Sequence, residues 1–295
     1  MILFATYNDY SNLCFNFAES LKSIGVQAQA LTLTPHAFGY EKQAKQVNHI
    51  GMVEAMERAD LVIIGHSSIH ILSFLPPGKN YWVLHTGTPY RQNPEKNNEA
   101  FKHAALTLTD SPEFTLLHPM TYIAAAINTD ELNYSTHQNS ELTFAHYPSN
   151  HMNKGTDKII KMMAEHPVRF KYSFDKQTHA ENLKRISECD IYIELFATTQ
   201  NGKTYGSFGV TAFEAAALGR IVITNSLFNE VYKSAYGSSE LFICNDEPTF
   251  HNAITFLSQA SDIENGKKRS RLWIEQKHSY TATGNYLNKL INDTR

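Results

Sequence analysis

The sequence lacks the features of a secreted, membrane-spanning or metal-clustering protein. Its three cysteines, Cys14, Cys189 and Cys244, are scattered along 295 residues with no pair at metal-ligand spacing. We therefore expect reduced, buried thiols in a cytoplasmic protein. The N-terminal stretch MILFATYNDY has neither the charged start nor the long apolar core of a signal peptide. No apolar run approaches the ~20 residues of a membrane span, so we expect no transmembrane segment.

Several catalytic signatures are also missing. There is no GxGxxG, HExxH or GxSxG motif, which argues against common dinucleotide-binding enzymes, zinc proteases and serine hydrolases. Without an Asp-x-Asp pair, the usual carboxylate clamp for a metal–diphosphate complex is absent, and we expect no metal. Gly202-Lys203-Thr204 resembles the end of a phosphate-binding P-loop. However, Ala197 occupies the position of the first glycine, so we set that interpretation aside.

Composition permits well-packed cores, and the charge distribution bears on partners. Hydrophobic residues make up 42% of the chain and aromatic residues 12%, which argues against disorder. The net charge is -3, and the first 140 residues alone carry 8 Lys and Arg against 12 Asp and Glu. This acidic first half argues against binding of DNA or an anionic bilayer through the first 140 residues.

Strand-like and helix-like segments alternate from end to end in two successive series. The strands of the first series are predicted at 1–6, 26–33, 60–65, 81–85, 105–109 and 115–117. Its helices are predicted at 11–24, capped by Ser11 and stopped by Gly25, and at 48–59. The second series has predicted strands at 143–147, 168–172, 190–195, 220–224 and 241–244, and helices at 156–166, 179–188, 210–218 and 248–258.

This alternation predicts an α/β fold with two doubly wound domains. Near-continuous apolar strands indicate parallel sheets covered on both faces. The polar stretch 128–141 is the best linker candidate, and we place an N-terminal domain at 1–135 and a C-terminal domain at 136–275. Ligands of such sheets bind beyond the carboxyl ends of the strands, so the strand-to-helix loops carry the candidate sites.

Two such loops in the second half could hold phosphate and ribose. In AHYPSNHMNKGTD, Ser149 and Asn150 offer small hydrogen-bonding groups, and Lys154 precedes a helix N-terminus, which favours anions. In KTYGSFGVTAFE, Gly206 and Gly209 allow a close backbone approach, and Glu214 could accept two ribose hydroxyls. Two alternatives stay open: Lys154 could be merely solvated, and Glu214 could only complement a helix dipole.

A third loop, HTGTPYR at 85–91, follows a strand of the first half. His85 and Arg91 could face a ligand there, and His66 ends an earlier strand in a comparable place. We add Asp9, which follows the first strand, as a candidate acceptor contact. A lone histidine after a strand is more often structural than catalytic, and this alternative also stays open.

The two second-half motifs together resemble the donor domain of retaining GT-B glycosyltransferases, the "glycosyl transferases group 1" superfamily. HYPSNHMNKGTDKII is similar to an H-x-P-S-N…K-G-T segment of one bacterial branch. YGSFGVTAFEAAALGRIVI is similar to the glycine-rich loop of the wider superfamily, and the segment 271–290 resembles its closing helices. The resemblance implies two Rossmann-like domains facing a cleft, with a C-terminal helix, here 276–295, crossing back to the first domain.

Carried over, the resemblance implies a sugar transfer from a nucleotide diphosphate donor, with retention and without a metal or other cofactor. Lys154 would neutralise the diphosphate with help from Ser149 and Asn150, and Glu214 would bind the ribose. The amides of the turn that contains Gly206, Ser207, Phe208 and Gly209 would hold the distal phosphate, and His85 or His66 would face the sugar. The acceptor would be a glycan, a small molecule or a lipid-linked group.

Other functions remain open on the same fold. They are transfer to modified bases of phage DNA, which the acidic first half disfavours, epimerisation of a nucleotide sugar, and silent nucleotide binding. Gly206 stands where many members of the superfamily carry a glutamate, and this difference keeps the silent module in consideration.

Overall fold

The computed structural model describes residues 1–135, 139–200, 202–206 and 208–294, and it divides into two units. Unit 1 comprises Met1–Asn128 with His278–Arg295, and unit 2 comprises Thr129–Lys277. The predicted linker 128–141 includes the first of these divisions. In the part of the chain that is described, no helix is long and apolar enough to cross a membrane.

Unit 1 is built on a parallel sheet of seven strands in the order β3-β2-β1-β4-β5-β6-β7. The strands are β1 (Ile2–Thr6), β2 (Ala28–Thr32), β3 (Lys45–Gln46), β4 (Leu61–Gly65), β5 (Tyr81–His85), β6 (Leu106–Thr109) and β7 (Thr121–Tyr122). Its helices are α1 (Leu13–Ser23), α2 (His49–Arg58), α3 (Ile69–Leu72), α4 (Gly87–Gln92), α5 (Pro94–Ala100) and, at the C-terminal end, α13 (Tyr280–Asp293).

Both faces of this sheet are covered, as the apolar strands predict. Alternate side chains of β1 point to opposite faces. Leu3 packs in one core cluster with Met52 of α2, while the ring of Phe4 lies 6.2 Å from that of Phe17 of α1. The sheet is therefore the middle layer of unit 1.

The C-terminal helix α13 belongs to unit 1 and packs against α1. A Cβ atom on Gly284 would lie 2.1 Å from the carbonyl oxygen of Ser20, so glycine permits this close approach. The predicted return of the C-terminal helix to the first domain is confirmed.

Unit 2 contains a second parallel sheet, in the order β14-β13-β10-β8-β9. Its strands are β8 (Thr143–His146), β9 (Arg169–Tyr172), β10 (Ile191–Ile193), β13 (Ile221–Thr224) and β14 (Phe242–Ile243), and a separate hairpin joins β11 (Thr199–Gln200) to β12 (Lys203–Thr204). The helices are α6 (His151–Lys154), α7 (Thr156–Met163), α8 (His179–Ser187), α9 (Val210–Ala217), α10 (Asn229–Tyr236), α11 (Glu247–Gln259) and α12 (Ile263–Lys277). The predicted α/β class with two parallel, Rossmann-like sheets is confirmed.

Two local predictions in unit 1 are wrong. The segment 115–117 is not a strand, because Pro112 starts a 3-10 helix, Pro112–Leu116, and the seventh strand is Thr121–Tyr122. Ser11 does not cap α1, since it adopts a left-handed φ of 56° in a 3-10 turn. The first turn of α1 is capped by Asp9, whose carboxylate accepts from the backbone N–H groups of Cys14 and Phe15 at 2.9 Å.

Candidate functional site

Each sheet has one topological switch point, where the chain continues to opposite sides of neighbouring strands. In unit 1 it lies between β1 and β4, and in unit 2 between β8 and β10. The loops that leave the carboxyl ends of two such strands diverge and open a crevice, which is where doubly wound sheets bind ligands. The side chains at these two positions therefore define the candidate sites.

In unit 2, the loop after β8 leads to Lys154. Ser149 and Asn150 are exposed there, and the Asn150 side chain caps α6 by accepting from the N–H of Asn153 at 3.2 Å. Gly155, with a left-handed φ of 66°, then turns the chain into α7. A Cβ on Gly155 would meet the carbonyl oxygen of Phe196 at 2.1 Å, so the loop lies tightly against the chain that follows β10.

The Lys154 ammonium is not merely solvated, because it forms an ion pair with Glu194, the residue directly after β10. The Glu194 side chain is fully buried and also accepts from the hydroxyl of Thr224 at 3.2 Å. Burial by itself would lower the pKa of Lys154, but the Glu194 charge outweighs it, and the pKa is raised above its ordinary value. Lys154 therefore stays charged at the switch point. Sequence reasoning missed Glu194, although a carboxylate ending a buried apolar strand was a visible signal.

The glycine-rich turn lies directly over this pair. Gly209 is the N-cap residue of α9, and a Cβ there would lie 2.2 Å from Glu194 Oε1 and 2.8 Å from Lys154 Nζ. Gly206 is buried with a φ of 156°, and a Cβ on it would lie 2.9 Å from the Asn225 amide nitrogen and 3.3 Å from the backbone nitrogen of Leu227. Packing against the ion pair therefore favours glycine at 209, and the backbone conformation favours it at 206.

The remaining turn residues have different positions. The Phe208 ring is buried against the rings of Phe213 and Tyr232, with centroids 6.0 and 5.0 Å away, so only its backbone can face a ligand. Ser207 lies outside the described residues. Glu214, inside α9, is buried and bonded to Nε2 of His179, the first residue of α8, at 2.6 Å. Sequence reasoning also missed His179, because a single histidine at the start of a helix is no signal of a functional site.

Asparagine side chains fix the neighbouring loops. Asn225, after β13, binds both the N–H and the carbonyl of Ala197, at 2.8 and 3.0 Å. Asn245, after β14, binds both backbone groups of Ser226 in the same way. A cavity of about 630 Å³ opens at this edge, lined by residues that include Met152, Phe196, Thr198, Asn245 and Asp246.

His146, the last residue of β8, anchors the loop from below. Its Nδ1 donates to the carbonyl of Ile193 at 2.7 Å, and its Nε2 accepts from the Thr156 hydroxyl at 2.8 Å. Burial lowers the pKa of His146 to about 4, so the folded protein holds this ring neutral.

In unit 1, the switch point brings Asp9 and His66 together. Asp9 Oδ1 lies 3.0 Å from His66 Nε2, and the Thr86 hydroxyl lies 2.7 Å from His66 Nδ1. Because a carboxylate only accepts, Nε2 carries a proton and donates it to Asp9. Both ring nitrogens are therefore engaged in a buried chain from Thr86 to Asp9.

Backbone strain is concentrated at the same place. In the described part of the chain, four non-glycine residues have a left-handed φ, and all four lie close to Asp9 or His66 in sequence. They are Ser11, Asn12, His66 and Ser67. Such conformations cost of order 1–3 kcal/mol each and persist where the surrounding structure fixes them, often at functional sites. Asp110, after β6, is a further acid at this edge, and burial raises its pKa to about 6.

His85 and Arg91 are not part of the Asp9–His66 pair. His85 Nδ1 is bonded to the Ser67 hydroxyl at 2.8 Å, and burial lowers the pKa of His85 to about 3. Arg91 is buried in an ion pair with Glu113 at 2.5 Å. Other side chains of the protein bind both His85 and Arg91, and this fits a structural role at least as well as contact with a ligand.

One group of the described residues has metal-like spacing, namely Asp9, Cys14 and His66, whose ligand atoms lie within 4.8 Å of one another. Each of these groups already takes part in protein hydrogen bonds. Burial, together with the Asp9 charge, raises the pKa of the Cys14 thiol well above its ordinary value. A metal would need the thiolate, so this group fits a hydrogen-bonded cluster better than a metal site.

Neither a protein-family model nor a curated protein matches the chain. Solved structures do. HepE (Alr3699) of Anabaena in complex with UDP-glucose has a TM-score of 0.70 at 11% identity, covering 99% of this chain and 100% of that one. AviGT4, a glycosyltransferase involved in avilamycin A biosynthesis, has a TM-score of 0.61 at 11% identity, covering 98% and 96%. The chain thus has the GT-B fold, as the sequence resemblance predicted.

The neutral state of His146 predicts a loss of stability in mild acid. Its folded pKa of about 4 lies below the value of 6.5 expected in the unfolded chain, so only the unfolded state gains a proton as pH falls from 6.5 to 4. Between pH 7 and pH 5, the protein should lose about 2 kcal/mol more unfolding free energy than His146→Asn, which keeps the Nδ1-type donor. Urea unfolding followed by Trp273 fluorescence in a Trp82→Phe background would report on unit 2. Equal losses in the two proteins would contradict a neutral His146.

The packing of Gly209 predicts a coupling with Glu194. Gly209→Ala should destabilise unit 2 by about 1–3 kcal/mol, because its methyl group would overlap the Lys154–Glu194 pair. In a Glu194→Ala background the same change should cost less, and a double-mutant cycle of urea-unfolding free energies measures the difference. Additive effects would show that the turn does not depend on the ion pair.

Proposed function

We propose that the chain is a glycosyltransferase that moves a sugar from a nucleoside diphosphate donor to an acceptor hydroxyl, with retention and without a metal. The observation that carries the proposal is the meeting of Lys154, the Gly209 turn and the N-terminus of α9 at the switch point of unit 2. The solved structures of this fold support it, since HepE was solved with UDP-glucose and AviGT4 is described as a glycosyltransferase.

The diphosphate would bind between Lys154 and the start of α9. In the reaction, the bond from the sugar C1 to the diphosphate oxygen breaks and a bond from C1 to the acceptor oxygen forms. The acceptor proton passes to the departing diphosphate, whose charge Lys154, the amides of the turn and the helix dipole would stabilise. Ser149 and Asn150, both exposed beyond β8, would assist as hydrogen-bonding groups.

The nucleoside would extend from there toward β9 and α8. Glu214 would bind the ribose hydroxyls, exchanging its present bond to His179 for bonds to the ligand. The half-exposed ring of Phe174, 5.5 Å from the ring of His151, offers the base a stacking surface next to Lys154. We assign His66, with Asp9, to the side of the reacting sugar and acceptor, and we retain His85 and Arg91 only as supports of that region.

We expect one nucleoside diphosphate to stabilise the protein and Lys154→Ala to weaken its binding about 10-fold, as for a lost charge-assisted hydrogen bond. A thermal-shift titration with UDP, GDP, ADP, CDP and dTDP measures this, and Lys161→Ala, an exposed lysine of α7, is the matched control. EDTA should leave the shifts unchanged. If no diphosphate shifts the midpoint, the proposed function fails, and if Lys154→Ala binds like the control, the phosphate assignment fails.

The stereochemical outcome is a separate expectation. We expect the product to keep the anomeric configuration of the donor, and proton NMR coupling constants of the product, with UDP-glucose as the first donor tested, would show it. One observation favours the alternative of inversion, because the Asp9–His66 pair has the make-up of a general base oriented by a carboxylate. An inverted product would assign that role to His66.

Epimerisation and silent binding give different products in the same experiments. An epimerase would convert the donor sugar without any acceptor. A silent module would show the thermal shift of a nucleoside diphosphate but no turnover of the corresponding nucleotide sugars.

A further inference from the structure

Exposed aromatic and histidine rings form a surface on unit 1, on the loops that leave the carboxyl ends of its strands. We call this the ring surface and define it by Tyr7, Tyr10, Phe38, His49 and His70, all of which are exposed. Tyr7 and Tyr10 expose 48% and 51% of their area, respectively, and a group of exposed rings on neighbouring loops is more informative than a single exposed ring.

Three of these rings contact one another, and a fourth, Tyr10, contacts the switch point. The centroid of His70 lies 5.5 Å from Tyr7 and 5.7 Å from His49. The Tyr10 ring stands edge-on at 5.2 Å to the ring of His66, which is bonded to Asp9. The ring surface therefore reaches the buried Asp9–His66 pair through Tyr10.

The loops that carry the ring surface have almost no exposed charge. Residues 7–12, 33–44 and 66–74 contain three formally charged side chains: Asp9, Glu41 and Lys42. Asp9 is buried on His66, and the exposed Glu41 and Lys42 have opposite signs. A polyanion such as DNA requires clustered lysine or arginine, which these loops do not supply.

Amphipathic rings suit a ligand that is itself part apolar and part polar. A sugar ring presents C–H groups on its faces and hydroxyls on its rim, which match the faces of tyrosine rings and their polar tips. A lipid chain or a flat apolar aglycone would be buried better in an enclosed aliphatic pocket. The ring surface is half-exposed, and hydroxyl and imidazole groups recur across it.

Resting on the proposed glycosyl transfer, we infer that the acceptor is a neutral saccharide that stacks on the ring surface at Tyr7 and Tyr10. Among the acceptor classes that the sequence leaves open, the ring surface favours the terminal sugar of an uncharged glycan. The hydroxyl to be glycosylated would lie beside the Asp9–His66 pair, next to Tyr10.

The test measures binding to the full-length protein by isothermal titration calorimetry. The probes are the neutral trisaccharides maltotriose, cellotriose and N,N′,N″-triacetylchitotriose, the acidic trigalacturonate, a short DNA duplex and 4-nitrophenol. We expect at least one neutral trisaccharide to bind more tightly than the other probes. Tyr7→Ala and Tyr10→Ala should each raise its dissociation constant about 5- to 10-fold, as for the loss of an aromatic stacking contact.

The control is Phe256→Ala, which removes an exposed ring from α11 of unit 2 and should leave saccharide binding unchanged. Nucleoside diphosphate shifts should be the same in all these variants. The inference is overturned if DNA, trigalacturonate or 4-nitrophenol binds best, if no neutral trisaccharide binds, or if both tyrosine variants bind like the control. Failure of the proposed function is distinguishable, because then no nucleoside diphosphate would bind the unaltered protein.

Discussion

Both candidate sites depend on one constraint of parallel sheets, namely that the chain must cross over the sheet between neighbouring strands. Where the direction of crossing reverses, two loops separate and leave a crevice with exposed backbone ends. In each unit the two loops contribute one acid and one base to that crevice, Asp9 with His66 and Lys154 with Glu194. The strands that meet at the two switch points, β1, β4, β8 and β10, are buried along their whole length, so the loops beyond their ends are where a charged group can meet both its partner and a ligand.

The pairing of these charges has energetic consequences for both candidate sites. A lone buried ammonium or carboxylate would cost several kcal/mol, whereas the Lys154–Glu194 pair satisfies both groups, and Thr224 adds a hydrogen bond. Gly209 is then fixed by the space that the pair occupies, so the glycine-rich turn and the ion pair form one structural unit. In unit 1 the pair is held by strained backbone at His66 and by helix N–H groups at Asp9, which fixes its geometry in the same way.

Much of the fold followed from the sequence because parallel strands are long apolar runs separated by helical patterns. The predictions that were wrong depend on local chemistry. Pro112 starts a 3-10 helix where a strand was predicted, and Asp9 rather than Ser11 caps α1. The motifs also pointed to the segments that contain Lys154 and Glu214. Their partners, Glu194 and His179, could not be found from spacing alone, because each lies 35 or more residues away from the group it contacts.

The identity of these partners changes how the donor site would work. A free Lys154 would attract any anion, whereas a paired Lys154 has most of its field cancelled by Glu194 at short range. A diphosphate would then depend on directional hydrogen bonds from Lys154, the turn amides and the start of α9 more than on bare charge attraction. Such a site discriminates by geometry, and it would select a diphosphate that is placed by its nucleoside over free phosphate. The sparse charge of the ring surface fits the same arrangement, in which shape and hydrogen bonds determine what binds.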